Sequence, residues 1–222
     1  SVIVVNSELK EWSKKKLFVS KIYFIPNFSN LTLETNKTTH LKGVEGKRII
    51  CVANLKDPKN HLFLIQSFFK SKLFLQEWSL HLIGKDFKDT YAQECKEYVQ
   101  KNNISNHVYF YGSCDDISNI MQQANVGVLA STYEGFPVTL LEYGYHKLLV
   151  LSTNVGYCSN LIENDKGYLF SPFNQNELVS CLQQLVTSSE KNEKLAVNFN
   201  SFVIQEFSSK TIIEQFLTVY RT

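Results

Sequence analysis

Residues 126–142 read VGVLASTYEGFPVTLLE, and this stretch decides the fold of the chain. It opens with an apolar run, residues 126–130, which is typical of a strand buried on both faces. Gly135 allows close backbone approach, and Pro137 fits the first position of a helix, where its missing N–H costs nothing. We therefore predict a buried strand, a loop and a helix that starts near Pro137.

The surrounding sequence alternates short apolar runs with helical patterns. The predicted strands are 48–53, 79–83, 107–111, 126–130, 148–151 and 167–170, and the clearest helices are 61–70, 91–101 and 117–124. This alternation predicts an α/β fold with a Rossmann-like, doubly wound parallel sheet that is covered by helices on both faces. Ligands of such sheets bind beyond the carboxyl ends of the strands, so the loops after the first, third and fourth predicted strands should converge on one cleft.

Two carboxylates flank the predicted loop-to-helix junction. Glu134 stands just before the helix, and Glu142 lies about 7 to 8 Å beyond Pro137 along the axis, at a rise of about 1.5 Å per residue. The helix N-terminus favours an anion such as a diphosphate, and a carboxylate accepts hydrogen bonds from vicinal hydroxyls. Each glutamate alone is typical of an ordinary loop or helix surface. Together they favour a nucleotide-sugar site.

The Glu134-x7-Glu142 spacing, with Gly135, Phe136, Pro137 and Val138 inside it, resembles the donor-binding signature of glycosyltransferase family 4. These are the group 1 retaining transferases of GT-B fold. The resemblance implies that the chain is the carboxyl-terminal half of such an enzyme, with Glu134 on the donor hexose, Glu142 on the ribose and the residues between them at the donor. It implies transfer from a nucleoside-diphosphate sugar to a hydroxyl with retention, in bacterial surface polysaccharide or glycolipid synthesis.

A second donor loop is expected at residues 51–60, between a strand and an amphipathic helix. Its Lys56 and Lys59 would by themselves be ordinary solvated charges. Family members usually direct an Arg and a Lys from this loop to the diphosphate. The resemblance places Lys59 at the Lys position and implies that Lys59 and Glu134 are the catalytic residues. Asn54 stands where the Arg is expected, which removes a bidentate phosphate donor. Either Lys56 supplies that charge or the diphosphate is held more weakly.

Residues 109–117 resemble the segment that lies against the nucleobase, which implies contacts at Ser113, Cys114 and Ile117. The adjacent acids Asp115 and Asp116 precede a helix, and this arrangement favours helix capping over metal binding. The histidines and cysteines show no ligand spacing. We therefore predict no metal and no other cofactor, the nucleotide-sugar being the donor substrate.

Composition excludes several classes of protein. The net charge of +2 gives no argument for nucleic acid as a partner. The five cysteines are an odd number without C-x-x-C spacing, which favours a reduced, cytoplasmic compartment. No apolar stretch approaches the roughly 20 residues that cross a bilayer. Lysines 14–16 beside Trp12 and Phe18 leave peripheral contact with the inner face of a membrane as an alternative to a solvated helix face.

The order of segments predicts four parts. Residues 1–29 resemble the end of an amino-terminal acceptor domain and the crossover from it, and 30–46 have the composition of a flexible linker. Residues 47–204 form the donor-binding domain, and 205–222 a helix, capped near Ser208, that packs back toward the other domain. We expect the chain to be a portion of a longer protein, or a natural truncation. Its glycan or lipid-linked acceptor would then bind the missing domain, and the chain alone would turn over little donor.

Two other functions are compatible with this sequence. A GT-B sugar-nucleotide epimerase shares the architecture and the ligand class, although the Glu134-x7-Glu142 segment fits transferases better. The second is a non-catalytic nucleotide- or glycan-binding module, in which Asn54 would reflect the loss of diphosphate binding.

Overall fold

The computed structural model describes residues 1–19, 21–28 and 38–221. Its strands are β1 (Val2–Val4), β2 (Ile22–Phe24), β3 (Arg48–Val52), β4 (Ser79–Ile83), β5 (Val108–Gly112), β6 (Val126–Leu129), β7 (Leu149–Thr153) and β8 (Tyr168–Phe170). Its helices are α1 (Ser7–Lys16), α2 (His61–Ser71), α3 (Thr90–Lys101), α4 (Ile117–Gln122), α5 (Val138–Tyr145), α6 (Cys158–Ile162), α7 (Gln175–Thr187), α8 (Ser189–Glu206) and α9 (Ser209–Tyr220).

Six strands form one parallel sheet in the order β5-β4-β3-β6-β7-β8. The chain runs outward from β3 to β5, returns to the centre at β6 and then runs outward on the other side. This is the doubly wound topology, and it confirms the predicted α/β fold. All six predicted strands are present, with ends that differ from the prediction by at most two residues.

The sheet separates two hydrophobic cores, because successive side chains of a strand point to opposite faces. In β3, Ile49 and Cys51 pack with α2, α3 and α7, whereas Ile50 packs with α4, α5, α6 and α8. All three are at most 1% exposed. A buried aliphatic side chain stabilises the fold by about 1.5–3 kcal/mol, so these two layers hold the strand ends in place.

The two central strands part at their carboxyl ends, where Tyr143 fills the gap. β3 pairs with β6 only through Ile49↔Val126 and Ile50↔Gly127. Beyond that point, the hydroxyl of the fully buried Tyr143 accepts a hydrogen bond from the Val52 N–H at 2.8 Å. A β-carbon at Gly127 would lie 2.4 Å from the Tyr143 ring, so only glycine leaves room for the wedge.

Side chains cap the start of two helices, and the cap near Ser208 confirms the prediction. The Asn6 side chain accepts a hydrogen bond from the Leu9 N–H at 2.7 Å, and the Ser208 hydroxyl accepts one from the Thr211 N–H at 3.2 Å. Helix α5 begins at Val138, one residue later than predicted, with its proline at the capping position.

Asp116 occupies the N-cap position of α4, as predicted, but its side chain makes no capping hydrogen bond. Its carboxylate accepts hydrogen bonds from the Thr38 N–H, from the N–H and hydroxyl of Thr39, and from Asn119. Burial opposes ionisation of Asp116, but these bonds outweigh it and hold the pKa of the carboxyl below its usual value. The part of the predicted linker 30–46 that precedes Thr38 lies outside the described residues. The remaining part starts with Thr38 and Thr39, which are hydrogen-bonded to Asp116 at the start of α4.

The first segment of the chain folds as a small β-α-β unit beside α9. Strands β1 and β2 pair in parallel. An apolar cavity of about 410 Å³ separates this unit from α9, and its walls include Ile3, Val5, Ile25, Ile212, Ile213 and Phe216. The limits of the four predicted parts stay predictions. Within the described residues, no helix has the length and apolar character that crossing a membrane requires.

Candidate functional site

The topology places the loops after β3 and β6 side by side at the carboxyl edge of the sheet. These strands are neighbours at the point where the strand order reverses, and this is the crevice in which doubly wound sheets bind ligands. The Thr132 N–H donates to the Pro58 carbonyl at 2.9 Å and joins the two loops directly. Side chains from both loops are therefore held over the same crevice.

Lys59 and Glu134 meet across this junction. The Lys59 Nζ lies 2.6 Å from the Glu134 Oε1, and the two side chains are only 25% and 12% exposed. The buried Ser131 donates its hydroxyl to the same oxygen at 2.6 Å. Two predicted catalytic residues that are far apart in the sequence thus form one partly buried charge pair, which a third side chain orients.

The Glu134 loop is also held by the end of β7 and the loop that follows it. The Thr153 hydroxyl, at the end of β7, donates to the Ser131 carbonyl at 2.9 Å. Gly156 has φ +52, and a β-carbon there would lie 1.8 Å from the Glu134 carbonyl oxygen. The loop after β7 therefore packs directly against the Glu134 backbone, which only glycine permits.

A cleft of about 360 Å³ opens at this edge. Its walls include five residues predicted at the site from sequence, namely Asn54, Lys59, Ser113, Cys114 and Ile117. They come from the ends of β3 and β5 and the start of α4, so two of the three predicted loops line this cleft. Glu134 of the third loop is not in the cleft wall but contacts Lys59, which is. The Thr139 side of α5 closes the cleft.

Other predicted residues lie nearby but do not line this cleft. Phe136 packs its ring against Tyr157 at 5.3 Å between centroids, and Val138 faces the apolar cavity beside α9. Gly135 and Pro137 shape the turn into α5. Their contact with a donor stays a prediction.

Glu142 and Lys56 differ in their positions relative to the cleft. Glu142 is half-buried and follows Thr139 by three residues, which places both on the same side of α5. Lys56 is exposed, lies outside the cleft wall and begins the short 3-10 turn after β3. Neither residue lines the cleft, but Glu142 shares a side of α5 with Thr139, which does.

His61 begins α2 beneath the Lys59 loop, and it is completely buried. Neither ring nitrogen has a hydrogen-bond partner among the described residues. Burial lowers the pKa of His61 to about 4, and the positive charge of Lys59 acts in the same direction. Burial also raises the pKa of the neighbouring Cys51 thiol to about 12. Both groups are therefore neutral near pH 7. His61 is too weakly basic to be an effective general base, and Cys51 does not form a thiolate nucleophile.

Sequence reasoning missed three residues of this site. Lys85 and Thr139 line the cleft, and Ser131 orients Glu134. Ser131 belongs to the quoted stretch and could have been found from its position three residues before Glu134. Lys85 carried no such signal. Across the described part of the chain, no cluster of three or more His, Cys, Asp or Glu residues is arranged to hold a metal ion.

Comparison with known protein families agrees with this geometry. The family model for glycosyl transferases group 1 matches residues 34–200. The chain belongs to this family. The match spans the entire six-stranded sheet of this group 1 glycosyltransferase, with both loops of the Lys59–Glu134 pair.

Similar proteins include two bacterial enzymes. The poly(ribitol-phosphate) alpha-N-acetylglucosaminyltransferase of Staphylococcus aureus is 26% identical over 149 residues, which cover 64% of this chain and 29% of that protein. The N-acetyl-alpha-D-glucosaminyl L-malate synthase of Bacillus anthracis is 25% identical over 177 residues, which cover 78% of this chain and 45% of that protein.

A solved structure shows the same fold. A TarM variant from S. aureus, in complex with fondaparinux, alpha-GlcNAc-glycerol and UDP, superposes with a TM-score of 0.79 at 20% identity. The superposition covers 100% of this chain and 44% of that one. The fold is thus that of one half of a GT-B glycosyltransferase, and this group 1 glycosyltransferase chain spans less than half of each of these three proteins.

Proposed function

We propose that this chain is the donor-binding half of a retaining glycosyltransferase of family 4. It would bind a nucleoside-diphosphate sugar and position it for transfer to a hydroxyl acceptor. The observation that carries the proposal is the Lys59–Glu134 pair, which stands at the switch point of a group 1 fold. The UDP bound to the TarM variant supports the ligand class and makes UDP the first nucleotide to test.

The hydrogen-bonding capacity of the pair suits this role. An ammonium group donates three hydrogen bonds, so Lys59 can keep Glu134 as a partner and still donate to two diphosphate oxygens. A carboxylate accepts about four, and the bonds from Lys59 and Ser131 both go to Oε1. Glu134 therefore retains capacity for the hydroxyls of a hexose, and Glu142 would bind the ribose.

Catalysis in this proposal consists of positioning and charge stabilisation. As the bond to the anomeric carbon breaks, negative charge grows on the leaving diphosphate. Lys59 and the positive end of α5 would stabilise that charge, while Glu134 holds the sugar in register. Because cationic side chains supply the positive charge, the proposal includes no metal cofactor.

The remaining parts of the proposal concern the whole protein. The acceptor, a glycan or a lipid-linked glycan, would bind a domain outside this chain, and the product would enter bacterial surface polysaccharide or glycolipid. The protein would work in the cytoplasm. Its α1 would face the inner side of the membrane, because this helix ends in lysines 14–16 and leaves Trp12 53% exposed.

The test is isothermal titration of this chain with UDP, GDP and ADP without added metal, and then with the matching sugar conjugates. Saturable binding of one nucleotide, weakened by Glu142→Ala and unchanged by Glu193→Ala at the opposite edge of the sheet, is the expected result. Binding of none of them would overturn the proposal. Release of a sugar epimerised at C2 from the bound conjugate would show that the activity is epimerisation and not glycosyl transfer.

A further inference from the structure

The loop after β4 lies directly against the loop after β3. A β-carbon at Gly84 would lie 2.1 Å from the Ala53 carbonyl oxygen, so the two backbones touch. The Leu55 N–H donates to the Lys85 carbonyl at 2.9 Å just beyond this contact. The backbone of Lys85 therefore has a fixed position beside the loop after β3, which we call the phosphate loop. The resemblance in sequence did not indicate this position.

Asn54 also binds the Lys85 backbone. Its side-chain oxygen accepts a hydrogen bond from the Lys85 N–H at 3.0 Å. Through this bond, Asn54 stabilises the loop after β4, and it also lines the cleft. Asn54, Lys59 and Lys85 all line the same cleft of about 360 Å³.

The two lysines of the cleft differ in their partners. The Lys59 ammonium forms an ion pair with Glu134. Lys85 is exposed and forms no ion pair with any described residue, and its Nζ lies 5.1 Å from the centroid of the Phe87 ring. The cleft thus contains one neutralised and one uncompensated positive charge. An uncompensated ammonium beside a concave surface attracts an anion.

We propose that Lys85 supplies the second positive charge for the donor diphosphate, and that Asn54 positions Lys85. This inference rests on the proposed function of the same cleft. It assigns to Lys85 the charge that an Arg at position 54 would carry. It also replaces Lys56, which was one of two alternatives left open by the sequence and which lies outside the cleft wall. Lys85 contacts phosphate oxygens as a flexible point charge with three donors, so no bidentate geometry is needed.

The experiment compares nucleoside diphosphates with their nucleosides. This chain and its variants are titrated with UDP, GDP and ADP, and with uridine, guanosine and adenosine. Lys85→Ala should raise the Kd of the diphosphate that binds about tenfold, as expected for the loss of one charge-assisted contact. The Kd of the corresponding nucleoside should not change, and Lys85→Arg should restore most of the affinity for the diphosphate.

Two further variants complete the design. Lys101→Ala, at an exposed position at the end of α3, is the matched control and should bind like the unchanged chain. Lys56→Ala tests the rival lysine and should raise the Kd less than about twofold, since Lys56 lies outside the cleft wall. The effect of Lys85→Ala should shrink as salt is raised, because an exposed charge is screened.

The outcomes separate the inference from the proposed function. If no diphosphate binds the unchanged chain, the proposed function fails and the inference fails with it. If a diphosphate binds but Lys85→Ala has no effect, or weakens the nucleoside equally, only the inference is overturned. A loss through Lys56→Ala with none through Lys85→Ala would return the second charge to Lys56.

Discussion

The two edges of the central sheet both carry a cavity, and the larger cavity is not the candidate site. At the amino edge, about 490 Å³ lies between the starts of β6 and β7 and helix α8, with Trp78, Asn125, Asn192 and Glu193 in its wall. The carboxyl-edge cleft is smaller, at about 360 Å³. Cavity volume therefore does not identify the candidate site.

What distinguishes the carboxyl edge is the direction of the chain. In a doubly wound sheet, helices return antiparallel to the strands, so their positive N-terminal ends gather at the carboxyl edge. Loops from separate strands meet there and bring Lys59 to Glu134. The amino edge receives the negative helix ends. The comparison shows that convergence of loops and dipoles, rather than cavity size, marks a site for a diphosphate.

The largest difference is expected for one carboxylate at each edge. In a full-length protein that contains this chain, Glu134→Ala should lower kcat/KM for glycosyl transfer by roughly 10²–10³-fold, because it removes a group at the reacting sugar and releases Lys59. Glu193→Ala, in the wall of the larger cavity, should leave the rate within about twofold. Initial rates at varied donor concentration measure both. Equal losses in the two variants would remove the distinction between the edges.

A second pair compares two tyrosine hydroxyls through stability. Tyr143→Phe removes the acceptor of the Val52 N–H and should lower the free energy of unfolding by about 1–3 kcal/mol, because the Tyr143 side chain is completely buried. Tyr168→Phe removes a bond of 2.9 Å to Asn192 at the amino edge, in a partly exposed setting, and should cost about 0.5–1 kcal/mol. Urea unfolding of both variants gives the comparison, and a costlier Tyr168→Phe would contradict it.

The smallest difference concerns two serines. Ser131→Ala removes the hydroxyl that orients Glu134, and it should weaken binding of the nucleotide sugar about tenfold while binding of the bare nucleotide changes little. Ser189→Ala, in the amino-edge cavity, should change neither. Titration with the sugar conjugate and the nucleotide separates the two effects. If Ser131→Ala weakened both ligands equally, the serine would serve the loop rather than the sugar contact.

The sequence predicted the sheet well because each strand is a local apolar run. It also predicted that the loops of Lys59 and Glu134 lie at the same edge, because strand order in α/β folds follows from local patterns and a few topological rules. It did not predict the ion pair between these two side chains. Ser113, Cys114 and Ile117 were placed in the cleft through the resemblance, and the structure brings them there.

What escaped prediction depends on contacts between distant loops. Lys85 follows an ordinary strand, and only the backbone contact between Gly84 and Ala53 brings it beside the phosphate loop. Asp116 carried the local signature of a helix cap, yet the N–H groups of Thr38 and Thr39 occupy its carboxylate. In both cases a partner more than 30 positions away determines the role, and local propensity carries no information about it.

The wedge formed by Tyr143 has a mechanical consequence. Tyr143 sits between the backbones of β3 and β6, and the adjacent residue of α5 is Glu142, the candidate ligand of the ribose. A rigid shift of α5 would therefore move that carboxylate and change the separation of the two strands in the same step. Closure of Glu142 on a nucleotide by such a shift would therefore also change the spacing of the two strands.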